Sequence, residues 1–266
     1  MTLAKYQARC GHRAIVLVRR RLDPFGFAEA YEGARYVFPD RAATVNALAL
    51  LLSLAHDVVH VHGADEVAYS VKLVNRRARV VLHYHGTRIR GRWRERRKFW
   101  RAADLILVST PDLLEGAPDG VVYVPNPVDT ELFRPLVPPE EREPRGLLIV
   151  KWGRRHQFRH LKPVADELAS RYGIEYDVHF SDLEPIRYLD MPKVLNRYEW
   201  FIDLHHGWGE EDRVLGFLSL TGLQALACGC KVIAPWSDRC LVGLPEEHRP
   251  ERVAERVLEV YRELLE

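Results

Sequence analysis

The stretch DVVHVHGADEVAYSVKLVNRRARVVLHYHG, residues 57–86, reads as strand, helix, strand. Valine and other β-formers crowd 57–63 and 79–86, while the run beginning at Ala64 has the length that a crossover between parallel strands requires. Parallel strands joined this way are covered on both faces, which fits their nearly unbroken apolar character. The same alternation extends in both directions. Upstream lie AIVLV (14–18), ARYVF (34–38) and a helix from Ala42; downstream lie a helix from Gly91, LILVST (105–110) and VVYVP (121–125).

A Pro- and Glu-rich stretch, RPLVPPEEREPRG (134–146), interrupts the pattern, which then resumes. Strands are expected at 147–152, 175–180, 200–206 and 231–235, with helices at 161–172, 191–198 and 218–228 between them. The terminal PERVAERVLEVYRELLE aligns Val253, Val257, Val260, Tyr261 and Leu264 on one helical face, so it is expected to pack back on a core, that of the N-terminal domain. These readings predict an α/β protein with two domains, 1–136 and 137–266, each built on a parallel sheet, with a cleft between them.

Length and composition agree. The chain has 266 residues, 47% hydrophobic and 29% charged, which excludes disorder, collagen and coiled coil. The net charge of +2 conceals an asymmetry, because residues 1–136 hold 21 Lys and Arg against 14 Asp and Glu, and residues 137–266 hold 18 against 23. The four cysteines form no C-x-x-C pair, so neither a disulfide framework nor a zinc ribbon is indicated, and a reducing cytoplasm is the expected location. No secretory signal is visible, and the longest apolar run, ALALLLSLA (47–55), is too short to span a bilayer. Arginine outnumbers lysine 32 to 7 and only four Asn and three Gln occur, a pattern expected of a thermophile.

In open parallel sheets, ligands bind beyond the carboxyl ends of the strands. Three strands end there in histidines followed by glycine: His60 and His62 in HVHG, His83 and His85 in HYHG, and His205 with His206 in LHHG. The glycine lets the chain turn away from the strand end. Histidines at such positions serve a crevice or simply cap the sheet. H-x-H also puts two imidazoles on one face, as a metal hydrolase requires, but no carboxylate or cysteine in the sequence completes a zinc set, so no metal is expected.

HYHGTR followed by a helix, RAADLILVSTPDL, and VPNPVDTELFRP resemble the N-terminal domain of family 4 glycosyltransferases of the GT-B fold. DMPKVLNRYEWFIDLHH, LSLTGLQALACGCKVIAP and LLIVKWGRRHQFRH are similar to that family's C-terminal, nucleotide-binding half. The resemblance implies two Rossmann-like domains and a metal-independent, retaining transfer of sugar from a nucleotide-sugar donor to a sugar or lipid-linked acceptor. It implies no cofactor besides the donor. Residue by residue, it implies that Arg154 and Arg159 hold the donor diphosphate, for which guanidinium forks are suited. Phe217, Ser219 and Thr221 would lie at the start of a helix whose N–H groups face the phosphates, Gln224 would meet the ribose, and His85 would approach the sugar. Asn126 and Asp129 match a turn that is more often structural.

The departures bear on activity. Where the family has Glu-x7-Glu, this chain has Gly216 and Gln224, so the acid beside the sugar is expected from Glu210 or Glu211 of GWGEED, with Glu211 as the catalytic candidate. The chain also opens at what the family has as its first helix, so the family's first strand has no counterpart. The alternative is a catalytically weakened protein that binds a nucleotide sugar or glycan, or supports a partner enzyme. Finally, GTRIRGRWRERRKFWR (86–101) holds eight basic residues and one acid, with Trp93 and Trp100 expected on one face of a helix. Such a helix suits peripheral contact with an anionic membrane at its inner face, or an ordinary core-facing crossover; no nucleic-acid motif accompanies it.

Overall fold

The computed structural model describes residues 1–38, 41–86, 88–150, 158–205 and 215–266. In chain order the first elements are α1 (Thr2–Arg9), β1 (Ile15–Arg19), β2 (Ala34–Phe38), α2 (Ala42–Ser53), β3 (Val58–His62), α3 (Asp65–Val74), β4 (Arg79–Tyr84), α4 (Arg97–Trp100), β5 (Leu105–Val108) and β6 (Val122–Tyr123). There follow β7 (Glu143–Val150), α5 (Phe158–Tyr172), β8 (Tyr176–Phe180), α6 (Met191–Leu195), β9 (Tyr198–Ile202), α7 (Leu220–Ala227), β10 (Lys231–Ile233) and α8 (Pro250–Leu265). The strands form three sheets, β1-β2, β3-β4-β5-β6 and β10-β9-β7-β8, and every strand pairing is parallel. The α/β class with parallel sheets is thus what the alternating sequence pattern forms.

Two compact units divide the chain: residues 1–24, 31–127 and 251–266 form the first, and residues 25–30 and 128–250 the second. In the first, side chains alternate across β4. Val80, Leu82 and Tyr84 pack with Ala68 and Val71 of α3 and with Trp93 and Leu113, whereas Val81 faces Leu107, Val124 and the helices α1 and α8. Val253, Val257 and Val260 of α8 are all buried there, and each valine so buried contributes roughly 1.5 kcal/mol or more of hydrophobic stabilisation.

In the second unit, α7 contributes Leu223 and Leu226 to one face of the sheet, beside Phe133, Phe201 and Tyr198, while α5 covers the other with Leu161, Ala165, Leu168 and Ala169. The Pro- and Glu-rich stretch lies within this unit, so the change of unit comes earlier than 136, at Pro127. Its Arg142 is buried and fixes the end of α7, donating to the Cys228 carbonyl at 2.8 Å and to Asn196 Oδ1 at 3.1 Å. Asn196 in turn accepts from the Leu136 N–H at 2.7 Å. All four cysteines are free, and burial pushes the Cys228 and Cys230 thiols up, to about 12 and about 11.

The long helix expected from Gly91 does not form. Gly91 sits at φ +66°, outside helical geometry, and only Arg97–Trp100 is α-helical. No helix among the described residues is long and apolar enough to cross a membrane.

Candidate functional site

His60 and His62 of β3, His83 of β4 and His85 just beyond it gather on one side of the sheet. Register pairs His60 with Val81 and His62 with His83, so alternate residues on both strands project to the side that α8 covers. Their rings form a two-by-two stack: centroids are 4.3 Å apart for His60–His62, 4.4 Å for His83–His85, 5.1 Å for His62–His85, and 5.4 Å for His62–His83 and His60–His83. Gly63 and Gly86, at φ +65° and +117°, turn the chain away after each pair, as the sequence suggested.

Hydrogen bonds run through this stack. His85 Nδ1 lies 3.0 Å from Asn126 Oδ1, and His85 Nε2 lies 2.9 Å from His62 Nδ1. His60 Nδ1 meets the Tyr261 hydroxyl of α8, and its Nε2 is buried without a partner. His83 is 2% exposed and neither ring nitrogen has a hydrogen-bond partner; the Val124 backbone favours its charged form but does not meet hydrogen-bond geometry. Burial, reinforced by the neighbouring imidazoles, pushes the pKa of His60, His62 and His83 well below the usual histidine range. Burial also lowers His85, to about 4, against the Asn126 hydrogen bond. His62 and His85 stand at the exposed rim, where water screens this effect. Both nitrogens of His85 therefore already have protein partners, and a sugar hydroxyl would have to displace one.

Arg88, Arg90, Arg92 and Arg96 of the basic segment pair with acids. Asp65, with a fully buried side chain, accepts hydrogen bonds from Arg96 Nε at 2.9 Å, from Arg96 Nη2, and from the Tyr84 hydroxyl at 2.8 Å. Arg96 also reaches Glu66 at 2.8 Å, Arg88 donates to both Glu66 oxygens at 2.6 and 2.7 Å, and Arg90 pairs with Asp112 at 2.5 Å. Burial raises the Glu66 pKa, but hydrogen bonds from Arg96, from its own backbone and from Arg88 outweigh this and hold it at about 2. Trp93 is in the core, its indole N–H donating to the Leu113 carbonyl at 3.0 Å, and Trp100 meets it edge-on at 6.3 Å. Of the two readings of this segment, Trp93 follows the core-facing one: the rings lie on the α3 side of the core, and Arg88, Arg90 and Arg96 serve buried or half-buried acids.

In the second unit, a small cavity opens at the carboxyl ends of β7 and β9, lined by Val150, Ile202, Asp203, Leu204, Ser219 and Thr221. Ser219 is the N-cap of α7, its hydroxyl accepting from the Gly222 N–H at 3.0 Å. Asp203, buried at the end of β9, accepts from the Ser219 N–H at 2.7 Å. A Cβ on Gly222 would stand 2.2 Å from Asp203 Oδ2, so only glycine lets this carboxylate rest against the helix. The helix start expected to face phosphates thus already carries a carboxylate. Phe217 meets His205 edge-on at 4.9 Å, and Gln224 is buried within α7. Gly216 is open, with nothing within 4 Å of where a Cβ would stand.

Arg159 lies in the first turn of α5, exposed, with its Nε 3.2 Å from His160 Nε2. Arg154, Glu210, Glu211 and His206 lie outside the described residues. Asp129 caps its own turn, accepting from the Glu131 and Leu132 N–H groups at 3.2 and 3.4 Å. Sequence reasoning missed Asp65, Asp203 and Tyr261. The two aspartates had a signal, an acid at a strand–helix junction in apolar surroundings; Tyr261 had none beyond its helical face.

Residues 1–132 match the model of Glycosyltransferase Family 4. No curated protein matches the chain. Among solved structures, an alpha-glucosyltransferase in complex with UDP and a 13-mer DNA is similar at 12% identity and TM-score 0.49, over 94% of this chain and 90% of that one. The UDP-GlcNAc 2-epimerase of Methanocaldococcus jannaschii is similar at 11% identity and TM-score 0.43, over 94% and 99%. The glycotransferase of kitacinnamycin is similar at 12% identity and TM-score 0.42, over 99% and 90%. The sequence resemblance is therefore borne out over residues 1–132, where this chain carries the pattern of Glycosyltransferase Family 4.

Proposed function

We propose that the protein is a glycosyltransferase that moves a sugar from a nucleotide-sugar donor to a hydroxyl acceptor, with retention at the anomeric carbon and no metal in the transfer step. The observation that carries this reading is the family match over residues 1–132. The start of α7, which lies at the carboxyl end of β9, supports the second unit as the donor side.

In this reading Arg154 and Arg159 neutralise the diphosphate, so that the nucleoside diphosphate leaves as a stabilised anion. Phe217, Ser219, Thr221 and Gln224 surround the nucleotide, Ser219 and Gln224 acting through α7. His85 orients the sugar once it exchanges His62 or Asn126 for a sugar hydroxyl, and Glu211 supplies the acid missing at Gly216. The acceptor is a sugar or a lipid-linked sugar; Trp93 in the core and Arg96 on Asp65 support the soluble one.

The test is nucleoside diphosphate binding by calorimetry. The Arg154→Ala, Arg159→Ala double variant is expected to lose roughly 1.5–3 kcal/mol for each charge-assisted bond removed. Unchanged affinity would refute the donor assignment.

A second reading, a binding protein with little or no turnover, is favoured by Gly216, which places no side chain where the family has its first acid. Donor binding without transfer or donor hydrolysis would put it first.

A further inference from the structure

We propose that His60, His62 and His83 form a binding site for a divalent transition-metal ion, a property beyond sugar transfer. In the sequence the H-x-H pairs lacked a third ligand. The fold supplies one: a ring nitrogen of each of these three histidines lies within 4.8 Å of those of the other two. Ligands on a tetrahedral ion bound at about 2.0–2.1 Å stand roughly 3.3 Å apart, so modest turning of the stacked rings brings their nitrogens to ligating distance.

The hydrogen bonds around the cluster bear on which ring nitrogens keep a lone pair. The Asn126 carboxamide oxygen only accepts, so His85 Nδ1 carries the hydrogen across their 3.0 Å contact and His85 Nε2 is bare. That bare nitrogen accepts from His62 Nδ1 at 2.9 Å, which leaves His62 Nε2 unprotonated. On the other side, His60 Nδ1 meets the Tyr261 hydroxyl and its Nε2 is buried without a partner, so the tautomer with the hydrogen on Nδ1 offers a bare Nε2 to an ion. His83 is buried with two unpartnered ring nitrogens, one of which must be a lone pair in the neutral ring. Metal-bound histidines characteristically donate their other ring N–H to a neighbouring acceptor; His62 and His60 are already held that way. Neutral imidazoles suit zinc, copper and nickel rather than magnesium or calcium, which take oxygen ligands.

The experiment titrates Zn(II) alone into the metal-free full chain by calorimetry with a competing chelator, and records the absorption of the Co(II) form. One ion per chain is expected, with four- or five-coordinate cobalt bands and no thiolate charge-transfer band. His62→Gln, at the exposed rim where folding tolerates change, is expected to weaken binding by at least about 10- to 100-fold. Cys10→Ser with Cys240→Ser, which removes the two cysteines that are not buried, is expected to leave it unchanged. Absence of a stoichiometric ion, affinity indifferent to His62→Gln, or loss in the cysteine variant would each overturn the proposal. Nucleoside diphosphate binding by the Zn(II)-free protein reports on sugar transfer separately.

Discussion

Asp65 and Asp203 occupy similar places in the two units. Each is a buried aspartate at the junction between a strand and a helix, Asp65 opening α3 after β3 and Asp203 ending β9 against the start of α7. Their carboxylates are satisfied differently. Asp65 faces side chains, the Arg96 guanidinium and the Tyr84 hydroxyl, whereas Asp203 accepts a backbone N–H from Ser219, the cap of α7. The first arrangement holds Arg96 on the core, where it serves a buried acid. The second places negative charge at a helix start, where an anionic ligand would otherwise be favoured. A buried acid therefore fixes a scaffold in one unit and tunes a candidate site in the other.

The largest expected effect breaks the first member of the pair. Arg96→Ala leaves the Asp65 charge buried with Tyr84 and the more distant Arg88, and removing one partner of a buried ion pair costs about 3–5 kcal/mol. Denaturant unfolding measures this. A loss below about 1 kcal/mol, the range of a surface pair, would show that the network is not a stabilising lock. Nucleoside diphosphate affinity should not change, because Arg96 serves the first unit.

Acidification gives a second, smaller test of the same network. Glu66 is held at about 2 against an ordinary value of 4.5, so the unfolded chain takes up its proton first as pH falls. The stabilisation from Glu66 is complete above about pH 4.5 and is lost on descending toward 2. Because the side chain is 46% exposed, water screens the interaction and the expected effect is modest. Glu66→Gln should flatten the pH dependence of the melting temperature in that window; an unaltered slope would remove Glu66 from the account.

How legible all this was in the sequence depended on range. Each of the ten strands overlaps an apolar run identified from sequence, and α8 buries the valine face that its periodicity marked, because these signals are local; β7, however, begins at Glu143, inside the stretch read as a linker, and β9 begins at Tyr198, read as the end of a helix. The helix from Gly91 was misread: the spacing of Trp93 and Trp100 fits a helical face, but Gly91 takes a positive φ and the arginines follow acids more than twenty residues away in sequence. The histidines at the strand ends were visible one pair at a time, while their union into one stack required the β3–β4 register and α8's Tyr261. Asp203 was passed over because its partner, the Ser219 N–H, lies sixteen residues away.

The comparison sharpens further at Asp203. Asp203→Asn keeps an acceptor for the Ser219 N–H while removing the charge at the helix start, an interaction of about 0.3–1 kcal/mol. Stability should fall by no more than that, and nucleoside diphosphate binding should tighten several-fold if α7 faces the phosphates. Unchanged affinity with a normally folded variant would move the diphosphate away from α7.

The smallest effect on the fold, and the one that bears most on activity, is expected at Gly216. A Cβ there meets nothing within 4 Å, and the residue does not adopt a positive φ, so Gly216→Glu is sterically free. Surface substitutions of this kind change stability by about 0.5 kcal/mol or less. The variant restores an acid at the position where the family resemblance implies one beside the sugar. If that acid limits the wild type, Gly216→Glu raises sugar transfer or donor hydrolysis while the melting temperature stays put. If a Glu in the loop already serves, as proposed for Glu211, the added carboxylate gives no gain and Glu211→Gln lowers the wild-type rate. A protein that binds nucleoside diphosphate yet turns over neither as wild type nor as Gly216→Glu is the binding protein of the second reading, its donor side held by the same acid-capped helix but serving recognition alone.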